Sequence, residues 1–164
     1  MKINQVKKML FVCFSILLTA SVNAQMAKDE VQLVQNIWGL EKRAIVSDYM
    51  KFTEAELTKF LPIYDKYVEE GKKLGEERIQ IIASYADNYV GLTNEKADEL
   101  TQRLLKNNAA IDKLQLKYYN LIKKEISAIR AAQFMQLELY MQTMIRAELQ
   151  NSLPMIGELD KLDK

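Results

Sequence analysis

Histidine is absent from this chain, and cysteine occurs once, as Cys13. These two gaps remove imidazole acid–base groups, thiol nucleophiles and most zinc chemistry. A di-iron bundle needs Glu-x-x-His pairs on facing helices and is excluded for the same reason. Glycine (5) and proline (2) are scarce, too scarce for an all-β domain with its many turns. Ala, Leu, Lys, Glu, Gln and Met are abundant instead, which favours helices. Gly71 and Gly75 lie within a helical pattern rather than after a strand, so they do not form a phosphate-cradling loop.

The N-terminus carries a targeting pattern. Lys2, Lys7 and Lys8 form a basic head, and a run of about a dozen mostly apolar residues follows from Met9 to Ala20. Val22-Asn23-Ala24 supplies the small-x-small sequence that signal peptidase accepts. Residues 1–24 therefore read as a signal peptide cleaved before Gln25, leaving one helical domain over 25–164. The apolar run is shorter than the roughly 20 residues a spanning helix needs, and no second run is long enough, so no stable membrane insertion is expected after cleavage. Cys13 follows Val12 and sits inside the apolar run, whereas a lipid-modified cysteine follows a small residue at its end. Export places the working protein in the periplasm and removes three lysines. The net charge of +1 then becomes a slight acidic excess. Neither nucleic acid nor anionic lipid is an expected partner on that balance.

Four helices are expected. The first runs from about Lys28 to Ser47, with Val31, Val34, Trp38 and Ile45 on one stripe and Leu33, Ile37, Leu40 and Ala44 on the next. Thr53-Glu54-Ala55-Glu56 has the form of a capping box and opens a helix that continues to about Asn88. Along it Leu57, Tyr64, Gly71, Arg78 and Tyr85 recur every seven residues, with Phe60 or Leu61, Tyr67 or Val68, Leu74, and Ile81 or Ile82 interleaved, as in a coiled-coil seam with some polar interruptions. Pro62 falls inside this helix and crowds the Thr58 carbonyl, so a bend is expected. Gly71 and Gly75 share a face and suggest close contact with a neighbouring helix, with local flexibility as the alternative. Asn88 to Leu92 reads as a turn, and Thr93 caps a third helix from Asn94 to about Lys124. Its two lines are Ala97, Leu104, Ile111, Tyr118 and Leu100, Asn107, Leu114, Leu121. Two long helices joined this way make an antiparallel hairpin.

Ser127 caps the fourth helix, Ala128 to about Asn151, which Pro154 and Gly157 end. Ile129, Ala132, Met135 and Leu139 line one face of it; Phe134, Leu137, Met141, Met144 and Ile145 line another. A helix apolar on two faces cannot hide both against one neighbour. It is either central in a bundle or meets a second subunit or a client.

Two helix openings share a pattern: Phe52-Thr53-x-x-Glu56 and Ile126-Ser127-x-x-Arg130. With Phe60-Leu61-Pro62-Ile63-Tyr64 after the first and Ala131-Ala132-Gln133-Phe134 after the second, the chain resembles the Spy/CpxP family of envelope-stress proteins. The hallmark of that family is a repeated Leu-Thr-x-x-Gln. Only Thr53 is identical to it; Phe52, Glu56, Ile126, Ser127 and Arg130 stand in at the other positions. The resemblance covers roughly residues 30–150. It implies a bent α-hairpin homodimer shaped like a cradle, and a role as an ATP-independent chaperone for unfolded or partly folded proteins. The alternative it implies is a regulatory partner of an envelope-stress sensor or sigma-factor system. A structural helical spacer is the third reading.

An enzyme is not expected. The adjacent carboxylates Glu69-Glu70, Glu76-Glu77 and Asp98-Glu99 point about 100° apart on a helix and do not share a site. No cofactor is expected and no metal; Met135, Met141 and Met144 are core or interface fillers before they are a copper(I) site. Client capture needs weak, replaceable contacts: basic groups for encounter, and aromatic or Met side chains that hold without a fixed shape. Arg43, Arg78, Arg103, Arg130 and Arg146, with Tyr67, Tyr85, Phe134, Met141 and Met144, are the candidates for that surface.

Overall fold

A computed structural model describes residues 42–152 together with Met155 and Ile156. The expected signal peptide, the part of the expected first helix before residue 42, and Pro154, Gly157 and the tail lie outside the described residues. The fold is all α, with no strand among the described residues. Helix α1 covers residues 42–50, so the first helix continues past Ser47. Helices α2 (Glu54–Asn88), α3 (Asn94–Glu125) and α4 (Ala128–Ser152) follow. The chain divides into two compact units, one ending at Tyr49 and one beginning at Met50. The second holds the hairpin, α4 and the site. No helix among the described residues is long and apolar enough to cross a membrane.

The helix boundaries follow from local chemistry. The Thr53 hydroxyl accepts from the Glu56 N–H at 3.3 Å, and the Thr53 N–H donates to Glu56 Oε2 at 2.9 Å, completing the capping box. Thr93 accepts from the Lys96 N–H at 3.2 Å, and Ser127 from the Arg130 N–H at 3.2 Å. Each hydroxyl satisfies one of the backbone donors left over at a helix start. Pro62 sits inside α2, exposed, without ending it. The α2–α3 turn depends on Gly91, whose φ of +80° is a left-handed conformation that side chains resist.

Helices α2 and α3 run antiparallel, as the cross-pairs show: Tyr67 with Tyr118, Glu70 with Lys117, Leu74 with Asn107 and Glu77 with Arg103. On α2 the buried positions Phe60, Tyr64, Tyr67 and Ile81 keep to the seven-residue seam. On α3 the seam drifts. The buried residues are Leu100, Asn107, Gln115, Tyr118 and Ile122, while Leu121 is exposed. The line through Leu114 and Leu121 is thus displaced by one residue toward the C-terminus. The reason is a third partner. Helix α4 packs on this half of α3, so the buried arc turns toward the groove between α2 and α4.

Helix α4 lies antiparallel to α3 and parallel to α2, since Glu56 meets Arg130 and Tyr67 meets Glu138. Its inward arc is Ala131, Phe134, Leu137, Glu138 and Met141, all buried. At 100° per residue these span about 120° of the helix. Phe134 is the centre of an aromatic cluster, with ring centroids 5.3 Å from Phe60, 6.0 Å from Tyr64 and 5.6 Å from Tyr67. Tyr118 closes the cluster from α3, 5.3 Å from Tyr67. The edge-on ring geometries suit the aromatic quadrupole and add to the area they bury.

The two glycines of α2 correct the expectation of close helix contact. A Cβ on Gly71 would meet Leu114 Cδ2 at 3.6 Å, an ordinary contact, and one on Gly75 would meet nothing within 4 Å. Neither position is glycine because a side chain would not fit.

Candidate functional site

The two shared-pattern helix openings meet in space. Glu56, at the last position of the first, receives Arg130, at the last position of the second, through two parallel hydrogen bonds: Nε to Oε1 at 2.8 Å and Nη2 to Oε2 at 2.9 Å. The same guanidinium donates to the Met50 carbonyl at 3.0 Å and to Gln133 Oε1 at 3.2 Å, and lies 5.3 Å from the Phe52 ring centre. A planar fork matched to a carboxylate is the strong form of an ion pair. Arg130's hydrogen bond, helped by the Thr53 backbone N–H, holds the Glu56 carboxyl down at about 2. Glu56 in turn raises the Arg130 guanidinium. Both side chains are about a quarter exposed (24 and 25 %), so this latch fastens the edge of the α4 interface rather than its centre. Arg130 is committed to it, which corrects its place among the client-facing arginines.

The middle of the interface holds a buried carboxylate. Glu138 is fully buried on α4 and accepts from the Tyr67 hydroxyl at 2.7 Å. Burial, followed by the charge and hydrogen bond of Glu138, pushes the Tyr67 phenol far above its ordinary value. Sequence reading passed over Glu138. The signal was present: it takes its place in the series Phe134, Glu138, Met141, on the arc that docks.

Other predicted contact residues have structural duties. Tyr67, Phe134 and Met141 are core residues, so the expectation that they face a client does not hold: the fold spends them on docking α4. Arg103 spans the hairpin to Glu77 at 2.9 Å and reaches Glu99 at 3.3 Å. Arg78 is half-buried and hydrogen-bonded to Asn108; burial, then the nearby Arg146 charge, lowers its guanidinium. Tyr85 is partly exposed, with its ring 6.3 Å from that of Tyr89. Arg43 and Arg146 are exposed and Met144 is half-buried.

Of the adjacent carboxylates, Glu69, Glu70, Asp98 and Glu99 are exposed, while Glu76 and Glu77 are half-buried. Glu70 takes Lys117 at 2.6 Å and the Tyr118 hydroxyl at 2.9 Å. The Lys117 hydrogen bond leads in lowering the Glu70 carboxyl, while burial and then Glu70 push Tyr118 up to about 12. An open groove on the hairpin beside this pair has a mixed lining: the basic Lys66, Lys73, Lys113 and Lys117, the acids Glu69 and Glu70, and the apolar Leu74, Ala110 and Leu114. Among the described residues no three Asp, Glu, His or Cys side chains converge as metal ligands.

What remains is the outward face of α4. From Ala128 to Thr143 its exposed residues are Ala128, Ile129, Ala132, Gln136, Leu139, Tyr140 and Thr143, and none is charged. Ile129 is 71 % exposed, Leu139 52 % and Tyr140 45 %. The contrast with the hairpin is sharp. Exposed positions of α2 and α3 include Lys59, Asp65, Lys66, Glu69, Lys72, Lys106, Asp112, Lys113, Lys123 and Lys124, and the exposed Leu105 and Leu116 of α3 stand beside the exposed Lys106 and Lys117. A solvated helix carries charge on its outer face, and an extended apolar face without it marks an interaction surface.

No family model, no curated protein and no solved structure matches this chain.

Proposed function

We propose that this chain is an exported helical binding protein of the Spy/CpxP type, acting as an ATP-independent periplasmic chaperone for unfolded or partly folded proteins. The observation that carries the reading is the uncharged outward face of α4, with Ile129, Leu139 and Tyr140 in solvent while the opposite face is docked. A surface of that kind binds by displacing water from apolar groups and imposes little geometric selection. Its contacts are few enough to be released without a nucleotide cycle. Three supports stand beside it. The sequence opens with an export pattern, it has no histidine, and the paired helix openings carry the residues on which the family resemblance rests.

The family resemblance also implies a homodimer, in which two such faces would be presented together. The purified chain from Gln25 onward slows the light-scattering rise of a chemically denatured enzyme diluted into buffer without ATP. Suppression is expected at a few-fold molar excess. Unchanged aggregation at tenfold excess overturns the reading.

A further inference from the structure

The α4 face also specifies what it takes. From Ala128 to Thr143 the helix rises about 24 Å, at 1.5 Å per residue. A segment of another chain lying along it in extended form covers that distance with about seven residues, at roughly 3.3 Å each. The face offers Ile129, Leu139 and Tyr140 as apolar anchors. Gln136 and Thr143 add an amide and a hydroxyl able to bond to a peptide backbone, and no ion stands among them. Within this strip, which the exposed Arg146 ends on the C-terminal side, a charged residue loses water and gains no counter-ion, whichever its sign. An uncharged apolar residue loses nothing of that kind.

A second copy is a poor fit as sole occupant. A strip about 24 Å long and about 10 Å wide is on the order of 250 Å². A stable pair of proteins buries about 800 Å² on each partner. The strip fits a short segment held briefly.

We infer that the outward face of α4 selects uncharged, apolar segments of about seven residues from unfolded chains, and excludes segments carrying charge of either sign. This rests on the chaperone reading and deepens it. Windows of six or seven residues with high strand propensity and low net charge are those that pair into cross-β aggregates. A face matched to them in length and charge masks the part of a client that starts aggregation.

Fluorescence anisotropy with three labelled heptapeptides tests the inference. One is built from Val, Leu, Phe, Gln and Thr; the second has two central Asp; the third has two central Lys. The uncharged peptide is expected to bind at least tenfold more tightly than either charged one. Leu139→Lys and Ile129→Glu are each expected to weaken it at least tenfold with unchanged helical circular dichroism, because both side chains point to solvent. Equal binding of all three peptides overturns the charge rule, and full binding by both variants overturns the assignment to α4. Light scattering that shows a dimer dissolved by Ile129→Glu gives the face to a second copy and also overturns it. The chaperone reading is judged separately: it stands if the wild type suppresses aggregation and falls if it does not, whatever the peptide preference.

Discussion

Replacing Gly75 with alanine should make this protein more stable, although glycines facing a helix neighbour are usually kept for lack of room. The added Cβ meets nothing within 4 Å, so there is no steric cost. The gain is the helix propensity difference, about 1 kcal/mol, part of it from a less disordered unfolded chain. Gly71→Ala gains the same and also brings a methyl to 3.6 Å from Leu114 Cδ2. A fully buried methylene is worth about 0.8 kcal/mol, and at this half-buried position roughly half of that applies. If the two gains add, the double variant gains about 2–2.5 kcal/mol; at one turn apart the sites are close enough to couple, so the single variants are measured beside it. Urea unfolding followed by far-ultraviolet circular dichroism reads the change as a higher midpoint at unchanged slope. If Gly75→Ala is neutral or destabilising, α2 needs glycine there for a contact or bend absent from this structure, and the packing argument is refuted.

Tyr67→Phe removes the 2.7 Å donor to the fully buried Glu138 and should cost about 2–3 kcal/mol in the same assay; a loss under about 0.5 kcal/mol would mean the bond is worth no more than an exposed one. Glu56 is held at about 2 against an ordinary 4.5, a depressed carboxylate. Its contribution is complete above pH 4.5 and is lost as pH falls toward 2. Glu56→Gln should flatten that part of the stability–pH profile, and an unchanged slope between pH 4.5 and 2 would place the acid sensitivity elsewhere. Gly91→Ala forces a side chain into φ +80° and should destabilise by about 1–2 kcal/mol; thermal unfolding checks it, and no loss would show that the turn re-forms with negative φ.

Helix positions were legible because the signals for them are local. Thr53, Thr93 and Ser127 each precede a helix and accept from its first turn, so hydroxyl spacing alone located three starts. The α2 seam was legible for the same reason: Phe60, Tyr64 and Tyr67 repeat at helical spacing. The seam of α3 was misread beyond Leu114, because periodicity carries no knowledge of a third helix arriving to rotate the buried arc. The site was only half legible. Both apolar arcs of α4 were visible, but which one docks depends on where Phe60 and Tyr118 wait for it. Phe134, Met141 and Tyr67 were therefore assigned to a client when the core needed them. Glu56 and Arg130 were picked out by pattern, yet their ion pair joins positions far apart in sequence and belongs to the tertiary fold. The stretch from Ala128 to Thr143 holds two charged residues, Arg130 and Glu138; that its outer face is left uncharged is decided by the tertiary fold, which pairs the one with Glu56 and buries the other.

The parallel alignment of α4 with α2 gives the order of synthesis a physical meaning. Phe60, Tyr64 and Tyr67 leave the ribosome early, but the side chains that cover them, Phe134 through Met141, come near the end. In any state where the hairpin has closed and α4 has not yet docked, that aromatic flank is bare. A chain in that state is itself an aggregation-prone molecule, and it needs the kind of shielding that its completed form is proposed to give to others.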